Sequence, residues 1–506
     1  MLCNRFKSTL AVLPAATARR LTLADIPVAP ETGIWPLRSS YSYMMARGGF
    51  QQLFKHVHEL HASLGPIFRM KFFPFAMEYV SVADPAAFEH VYRTEGEVPQ
   101  RQVLPFWQLY RDSKRWPLGT GLANDLAEWK RYRASMGAYA LSPRNIASWI
   151  PRIDNVAQDL TARIKRQATS ADGVVPVTLD LKAYALEVTS SLVFGERMGC
   201  VTADPTTPVT PEALDYINAV RGFWSTTQKL MMCVPPKTPL FVYPFLQAYK
   251  EHAAHADFIF DMGLRFMRKK MHAKHAKDPD FLSMFLENPE LSEREAIAQA
   301  LDVLFAGVDT TATVLIWTCY CLATAPNGKQ IQEKMRDEVV TAMNGKTSID
   351  DDVLSKLSYV RAVVKETTRL YPTLNPNMRY LGEDVNLLGY DLPKGTAIVM
   401  ATYTTSRNPK AFDNPDSFYP ERWLDRSAKA ADVRKHSAFS TLPFGFGARG
   451  CAGRRLAESE MYILLAHLLQ NLEIQWPANE PHPKATLETL LVPDRPLSFK
   501  FKPWTA

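Results

Sequence analysis

From Ser292 to Ala325 the chain runs without a proline and with few charges, until Pro326-Asn327-Gly328 closes the run. Ser292 followed by Glu295 is a capping-box signature, so the spacing predicts one helix over the whole stretch. At 1.5 Å per residue it would be roughly 50 Å long, enough to cross a large domain, and only a core helix needs that reach. The fold must therefore be built around it. Elsewhere Gly65-Pro66 opens a strand pair, Ile67 to Phe72 and Glu78 to Val82, around a Phe73-Pro74 turn. Asp84-Pro85 starts a helix with a capping acid and a proline at the first position. From about Leu126 to Phe266 most segments read as helices broken by prolines. The 506 residues show no internal repeat, low-complexity tract or linker between two hydrophobic patterns, and their apolar content supports a large core. The expectation is a single large unit, mainly α, with a small β-rich subregion.

A second feature bears on chemistry. Phe444-Gly445-Phe446-Gly447-Ala448-Arg449-Gly450-Cys451-Ala452-Gly453 sets one cysteine in a glycine-spaced loop just ahead of a helical pattern, Arg454 to Leu469. The glycines let the backbone wrap around the sulfur and aim N–H groups at it, and the helix N-terminus favours a thiolate. A lone thiolate argues against zinc or an iron–sulfur cluster, which need three or four ligands, whereas haem iron needs one axial ligand from this side. Taken alone, the loop is equally compatible with a turn around an ordinary buried cysteine. In the long helix, Gly307 costs about 1 kcal/mol relative to alanine, and Thr310 is placed to bond back to the carbonyl four residues earlier. Alone, these residues read as a kink without chemistry.

Phe444, Gly447, Arg449, Cys451 and Gly453 together match the signature of the cytochrome P450 family, the haem-thiolate monooxygenases, and the chain resembles that family along most of its length. The resemblance implies haem b (iron protoporphyrin IX) between the long central helix and the cysteine loop, with Cys451 as axial ligand. It makes Ala306 and Gly307 part of a groove for dioxygen and Asp309 and Thr310 the catalytic proton-delivery pair. Glu366 and Arg369 are by spacing alone an ordinary exposed ion pair. Downstream, Phe418, Pro420, Glu421, Arg422 and Trp423 match the family's second arginine segment, which implies a buried Glu366, Arg369 and Arg422 triad serving folding and haem retention. Trp129 with Arg133, then Arg379 and Arg449, match the family's propionate contacts, each being individually compatible with a solvated surface residue.

Arg361 with Lys365, and Arg454 with Arg455, resemble the residues with which mitochondrial members dock an adrenodoxin-like ferredoxin, itself reduced by ferredoxin reductase; an ordinary solvated face is the plainer reading. The resemblance places the pocket lining around the loop Gln100 to Tyr110, the helix near Phe305, the segment Thr373 to Met378 and Leu490-Leu491. Phe106, Trp107, Phe305, Leu374 and Leu490 are the candidates, making a pocket suited to a sterol, steroid or secosteroid-like lipophile. The apolar, proline-broken run Pro235 to Leu246 resembles the family's membrane-dipping connection and implies a peripheral membrane contact, a core segment being the alternative. Pro376 stands one residue later than in mitochondrial relatives, and the entry Ile26-Pro27-Val28-Ala29-Pro30 lacks the usual glycine.

Residues 1 to 24 contain Arg5, Lys7, Arg19 and Arg20, with no acid before Asp25, the composition of a mitochondrial transit peptide or of a disordered basic tail. The division expected is 1–30 as transit peptide and entry segment and 31–506 as one catalytic domain, lying peripherally on the matrix side of the inner membrane. No run of about 18 apolar residues is found, so no spanning anchor is expected. The six cysteines follow no disulfide spacing, which suits a reducing compartment. A net charge of +7 favours an acidic partner or membrane surface, and no basic cluster suggests nucleic acid. The leading expectation is hydroxylation with dioxygen and ferredoxin electrons. The rivals are a non-redox haem-thiolate isomerase or lyase, which needs no external electrons, and a haem-based sensor or carrier, which has little use for Asp309 and Thr310.

Overall fold

The computed structural model describes residues 20–504 apart from 33–38, 72–77, 98, 102–103, 124, 170–171, 205, 235–237, 273–279 and 426–437. The basic segment up to Arg19, the Phe73-Pro74 turn and Pro235-Pro236 lie outside the described residues. Local signals set most element boundaries. After α1 (Leu53–Leu64), β1 (Ile67–Lys71) and β2 (Glu78–Val82) pair antiparallel with Ile67 opposite Val82. Asp84 caps α2 (Pro85–Arg93), accepting from the Ala87 N–H at 2.8 Å. There follow α3 (Pro105–Ser113), α4 (Leu126–Ala134), α5 (Pro143–Gln167), β3 (Val174–Pro176), α6 (Val177–Phe194), α7 (Pro211–Cys233) and α8 (Gln247–His272). Pro105, Pro143 and Pro211 each open a helix, where the missing N–H has no partner to lose. Pro151 does not break α5 as expected. Buried Trp149, Ile150, Ile153 and Asp154 around it hold that turn in the core, and tertiary packing overrides the local penalty.

The central helix α9 (Glu293–Thr324) is 32 residues, about 48 Å. It lies along α6 and also packs against α7, α8 and α10 (Ser358–Leu370). Beyond α10 come β4 (Asn377–Tyr380), β5 (Ala397–Met400), α11 (Arg454–Asn471), β6 (Leu472–Gln475), β7 (Ala485–Glu488), β8 (Leu490–Pro493) and β9 (Ser498–Pro503). The four-stranded sheet runs β1-β2-β5-β4, with β2 and β5 parallel; β3-β9-β6 and the β7-β8 hairpin form two smaller ones. Contrary to the sequence expectation, α9 is long and apolar enough to cross a membrane, alone in this among the described residues. Its most apolar window is 67% buried inside the protein, so that apolar length covers the core.

Gly307 has a packing reason of its own. A Cβ built there would lie 2.6 Å from Thr189 Oγ1 on α6, so the glycine permits two helices to approach as well as standing beside exposed Ala306. The N-terminus of α9 is fixed by Glu295. Its carboxylate accepts from the Ser292 N–H at 2.8 Å, from Arg131 on α4 at 2.6 and 3.0 Å, and from Tyr132 Oη at 2.9 Å. Burial pushes this carboxyl up, but the Arg131, Ser292 and Tyr132 hydrogen bonds together outweigh it and bring the group down to about 2. The stabilisation is fully present above the ordinary carboxyl value of 4.5 and is lost as pH falls toward 2. In urea titrations at stepped pH, wild type should be more stable than Glu295→Gln at pH 6, and that gap should shrink steadily between about pH 4.5 and 2.

Candidate functional site

The cysteine loop owes its course to Gly445 and Gly447, both at left-handed φ near 70°. The Cys451 N–H donates to the Phe444 carbonyl at 2.8 Å, and the Gly450 N–H to that of Gly447 at 3.0 Å. The Gly453 N–H points at the sulfur, and α11 begins one residue later. The thiol is nevertheless pushed up, because burial outweighs that N–H and the charges of Arg133, Arg101 and Arg454. Cys451 is at once desolvated and exposed at its surface, so it faces an interior space. Ala306, between buried Leu304 and Val308 on α9, is likewise exposed.

Around that space stand four guanidinium groups. Arg449 donates to the carbonyls of Pro99, Thr120 and Ala123 at 3.0, 3.3 and 2.6 Å and lies 4.5 Å above the Trp129 ring. Arg379 gives Nε to Glu95 at 2.7 Å and Nη1 to the Met378 carbonyl at 2.9 Å. Arg101 donates to the Arg449 carbonyl at 2.5 Å, and Arg133 on α4 is close enough to stabilise the Cys451 thiolate. Burial pushes Arg101 and Arg449 down to about 10, and the charges of Arg379 and of further arginines add to it. Trp129 Nε1 is buried and without a partner among the described residues. One sulfur, an orphaned indole N–H and four guanidinium groups, with the Glu95 carboxylate paired to one of them, fit a haem, which carries two carboxylates at its edge. Arg101 was not foreseen: a lone arginine in a loop has no periodicity to single it out.

On α9 the Thr310 hydroxyl donates to the Ala306 carbonyl at 2.8 Å, as the spacing predicted. Asp309 is buried, with Lys182 Nζ of α6 2.8 Å from Oδ1 but off the hydrogen-bonding direction, so the pair is held by charge alone. Lys182 was missed because its partner lies 127 positions away in sequence. The next residue, Thr311, donates to the buried carboxyl of Glu460 on α11, whose Oε2 has no partner and whose backbone carbonyl accepts from Tyr184 Oη at 2.9 Å.

Glu366, Arg369 and Arg422 come together in the core, so the exposed-pair reading is overturned. Arg369 donates to both Glu366 oxygens at 2.9 and 2.8 Å, Arg422 to Oε1 at 3.0 Å and Trp423 Nε1 to Oε2 at 2.9 Å. The basic pairs lie at the surface on neighbouring helices: Arg361 and Lys365 on α10, Arg454 and Arg455 at the start of α11. Arg454 pairs with Glu458 at 2.9 Å and lies 5.5 Å from the Phe444 ring, while Lys365 sits 4.0 Å above that of Trp423. Trp107 and Phe305 converge on Phe223 and Trp224 of α7, with Phe305 stacked on Trp224 at 5.0 Å. Phe106 turns instead into a cluster with Tyr243, Leu230 and Tyr249, because adjacent residues of α3 face different sides. Leu374 is exposed beside the cis Asn375-Pro376 peptide, and Leu490 is buried in β8.

A thiol presented to an interior space ringed by cations and crossed by a long helix defines a haem-thiolate protein. The sequence profile described as Cytochrome P450 matches residues 36–501. Similar proteins include the mitochondrial cholesterol side-chain cleavage enzyme of Oncorhynchus mykiss, 29% identical over 93% of this chain and 89% of that one. The human mitochondrial 25-hydroxyvitamin D-1 alpha hydroxylase is 30% identical over 96% and 93%, and the human mitochondrial sterol 26-hydroxylase 30% over 89% and 86%. The chain belongs to the cytochrome P450 family and is a monooxygenase of that family.

Glu460 gives a test of the site's interior. Burial pushes its carboxyl up to about 8 against the pull of Thr311, so the folded protein keeps a proton that the unfolded chain releases near 4.5. Native stability should therefore fall as pH rises between those values. In thermal melts, Glu460→Gln should gain on wild type progressively from pH 5 to pH 8, and a constant difference between the two would contradict the assignment.

Proposed function

We propose that this monooxygenase hydroxylates a rigid lipophile of the sterol, steroid or secosteroid class with dioxygen, taking electrons singly from an adrenodoxin-like ferredoxin. The observation that carries the reading is the Cys451 thiol facing the same interior as the arginine cluster and the orphaned Trp129 Nε1, the donor set that a haem requires. Haem b would fit it: Cys451 Sγ would hold the iron, Trp129, Arg101, Arg133, Arg379 and Arg449 would hold the propionates, Phe444 and Gly453 would support the sulfur, and Ala306 would line the same pocket. Such a haem, when bound, supplies dioxygen activation, and thiolate donation favours O–O cleavage.

The chain's own residues then position and move protons. Because the Thr310 proton is committed to the Ala306 carbonyl, Oγ1 offers its lone pairs to a donor in the interior. Lys182 Nζ lies 2.8 Å from Asp309 Oδ1 without a directed hydrogen bond, so that oxygen has lone pairs to take up a proton and pass it toward Thr310. Trp107, Phe223, Trp224 and Phe305 present flat faces that suit fused rings, with Leu374 and Leu490 as further apolar lining. The Glu366, Arg369 and Arg422 network retains the fold beneath the cysteine loop.

Exposed Arg361, Lys365, Arg454 and Arg455 supply a positive face for an acidic electron donor. The relatives' names and the basic N-terminal composition support a mitochondrial location, with residues 1–30 as leader and entry and 31–506 as the catalytic domain. Leu240, Phe241 and Phe245, exposed at 49, 73 and 80%, support peripheral contact with the matrix side of the inner membrane.

The reading is tested by screening sterols, secosteroids and terpenoids for shifts of the haem spectrum, then assaying turnover with and without ferredoxin and its reductase. Cys451→Ala should abolish the thiolate-type carbon monoxide spectrum. Thr310→Ala should keep substrate binding while product per electron pair falls on the order of tenfold or more and peroxide appears, and tight coupling in that variant would refute its role. Arg454→Glu with Arg455→Glu should raise the KM for ferredoxin at least several-fold at low salt and leave substrate affinity unchanged, with the difference narrowing as ionic strength rises.

A further inference from the structure

Glu95 is an acid in a place where the rest of the chemistry gathers cations. Its side chain is 4% exposed, and Oε2 accepts from Arg379 Nε at 2.7 Å. On its other side lies the cysteine loop: a Cβ at Gly447 would come within 2.8 Å of Glu95 Oε1, and Gly447 adopts φ 70°. The surroundings are rigid. Tyr92, at the end of α2, packs edge-on to Phe446 of the loop at 5.9 Å and against Phe439 at 6.3 Å, and the Arg379 guanidinium lies 5.1 Å from its ring. With Nε given to Glu95 and Nη1 to the Met378 carbonyl, the guanidinium of Arg379 is oriented so that Nη2 is left for a ligand. The charge of Glu95 also acts on Arg101 and Arg449.

Burying a carboxylate is expensive, and the pairing with one arginine does not by itself explain why an acid stands among the three cations Arg379, Arg101 and Arg449. Fixing one guanidinium while lowering the positive field of the group explains it. We propose that Glu95 is a positioning residue for the haem, holding Arg379 so that Nη2 addresses a propionate, and that its charge holds the reduction potential of the iron down. The inference rests on the reading of the arginine cluster as the propionate site. Reduction adds negative charge to the haem, so a fixed anion at the edge of the pocket disfavours the reduced form, and the low dielectric of the interior strengthens the effect.

The test uses purified holoprotein of wild type, Glu95→Gln and Glu95→Asp in a spectroelectrochemical titration. Glutamine is isosteric and can still accept from Arg379 Nε, so haem content should be retained. Its ferric–ferrous equilibrium should move about tenfold toward the reduced form, which is ~59 mV for a one-electron couple. Glu95→Asp keeps the charge and should stay near wild type. A fully haem-loaded Glu95→Gln with an unchanged potential, or equal shifts in both variants, would overturn the proposal. Should Glu95→Gln lose haem, transfer to apomyoglobin gives the second reading: fast loss from Gln alone supports the charge, and equal loss from Gln and Asp refutes it. Failure of the underlying reading looks different, since wild type itself would then show no thiolate-type carbon monoxide spectrum.

Discussion

A single buried carboxylate, Glu366, holds the base of the site together. It accepts from Arg369 twice, from Arg422, from Trp423 Nε1 and from the Tyr419 N–H, filling the capacity of both oxygens. Neither Glu366 nor Arg369 has any exposed surface, so removing one partner would leave a bare charge in the interior. Arg369 extends the network to the carbonyls of Ser406, Pro415 and Ser417, which ties a long irregular stretch to α10 without regular secondary structure. Since α10 also packs on α9 and α11, the central helix and the helix that follows Cys451 share this anchor.

The same device recurs at the cysteine loop with the opposite electrostatic consequence. Arg449, like Arg369, uses its guanidinium to bind three backbone carbonyls, but its charged neighbours are other arginines. Glu366 satisfies Arg369 and Arg422, whereas Glu95 pairs with Arg379 and acts by charge on Arg101 and Arg449. The one cluster is complete in itself and serves the fold; the other carries a surplus of positive charge that is favourable only beside an anion. That difference separates the arginines that serve the fold from those proposed to face a haem, where residue type alone does not.

Legibility in the sequence followed the range of each interaction. The Ser292 and Glu295 box, the Asp84-Pro85 start and the glycine-spaced cysteine loop are local grammar, and the residues that carry them stand where the spacing put them. Lys182, Glu95, Arg101 and Glu460 owe their significance to partners brought near by tertiary packing, and nothing in their own neighbourhoods marks them. Phe106 and Trp107 show the limit within one helix: both are aromatic and adjacent, and only the rotation of α3 against α7 and α8 decides which meets Phe223. Gly307 shows it for backbone. A glycine in a helix signals close approach, but which neighbour approaches is a property of the assembled core, and here it is Thr189 of α6.

Further contacts join α3 and the loop after it to the cysteine loop. Arg449, two residues before Cys451, holds the carbonyls of Thr120 and Ala123, while Thr120 Oγ1 meets Gln299 Oε1 of α9 at 2.6 Å. Arg111 of α3 reaches Asp302 on the same face of α9 at 2.5 Å and also donates to the Pro117 carbonyl at 3.1 Å. The segment from Pro99 to Ala123 is therefore pinned at both ends to the cysteine loop and, at Arg111 and Thr120, to the central helix. Trp107 lies on that segment, so the aromatic cluster it forms with Phe223 and Trp224 and the arginine two residues before Cys451 are parts of one braced unit. A displacement of α3 would be felt at Arg449 through bonded and hydrogen-bonded neighbours, without any need for the central helix itself to bend.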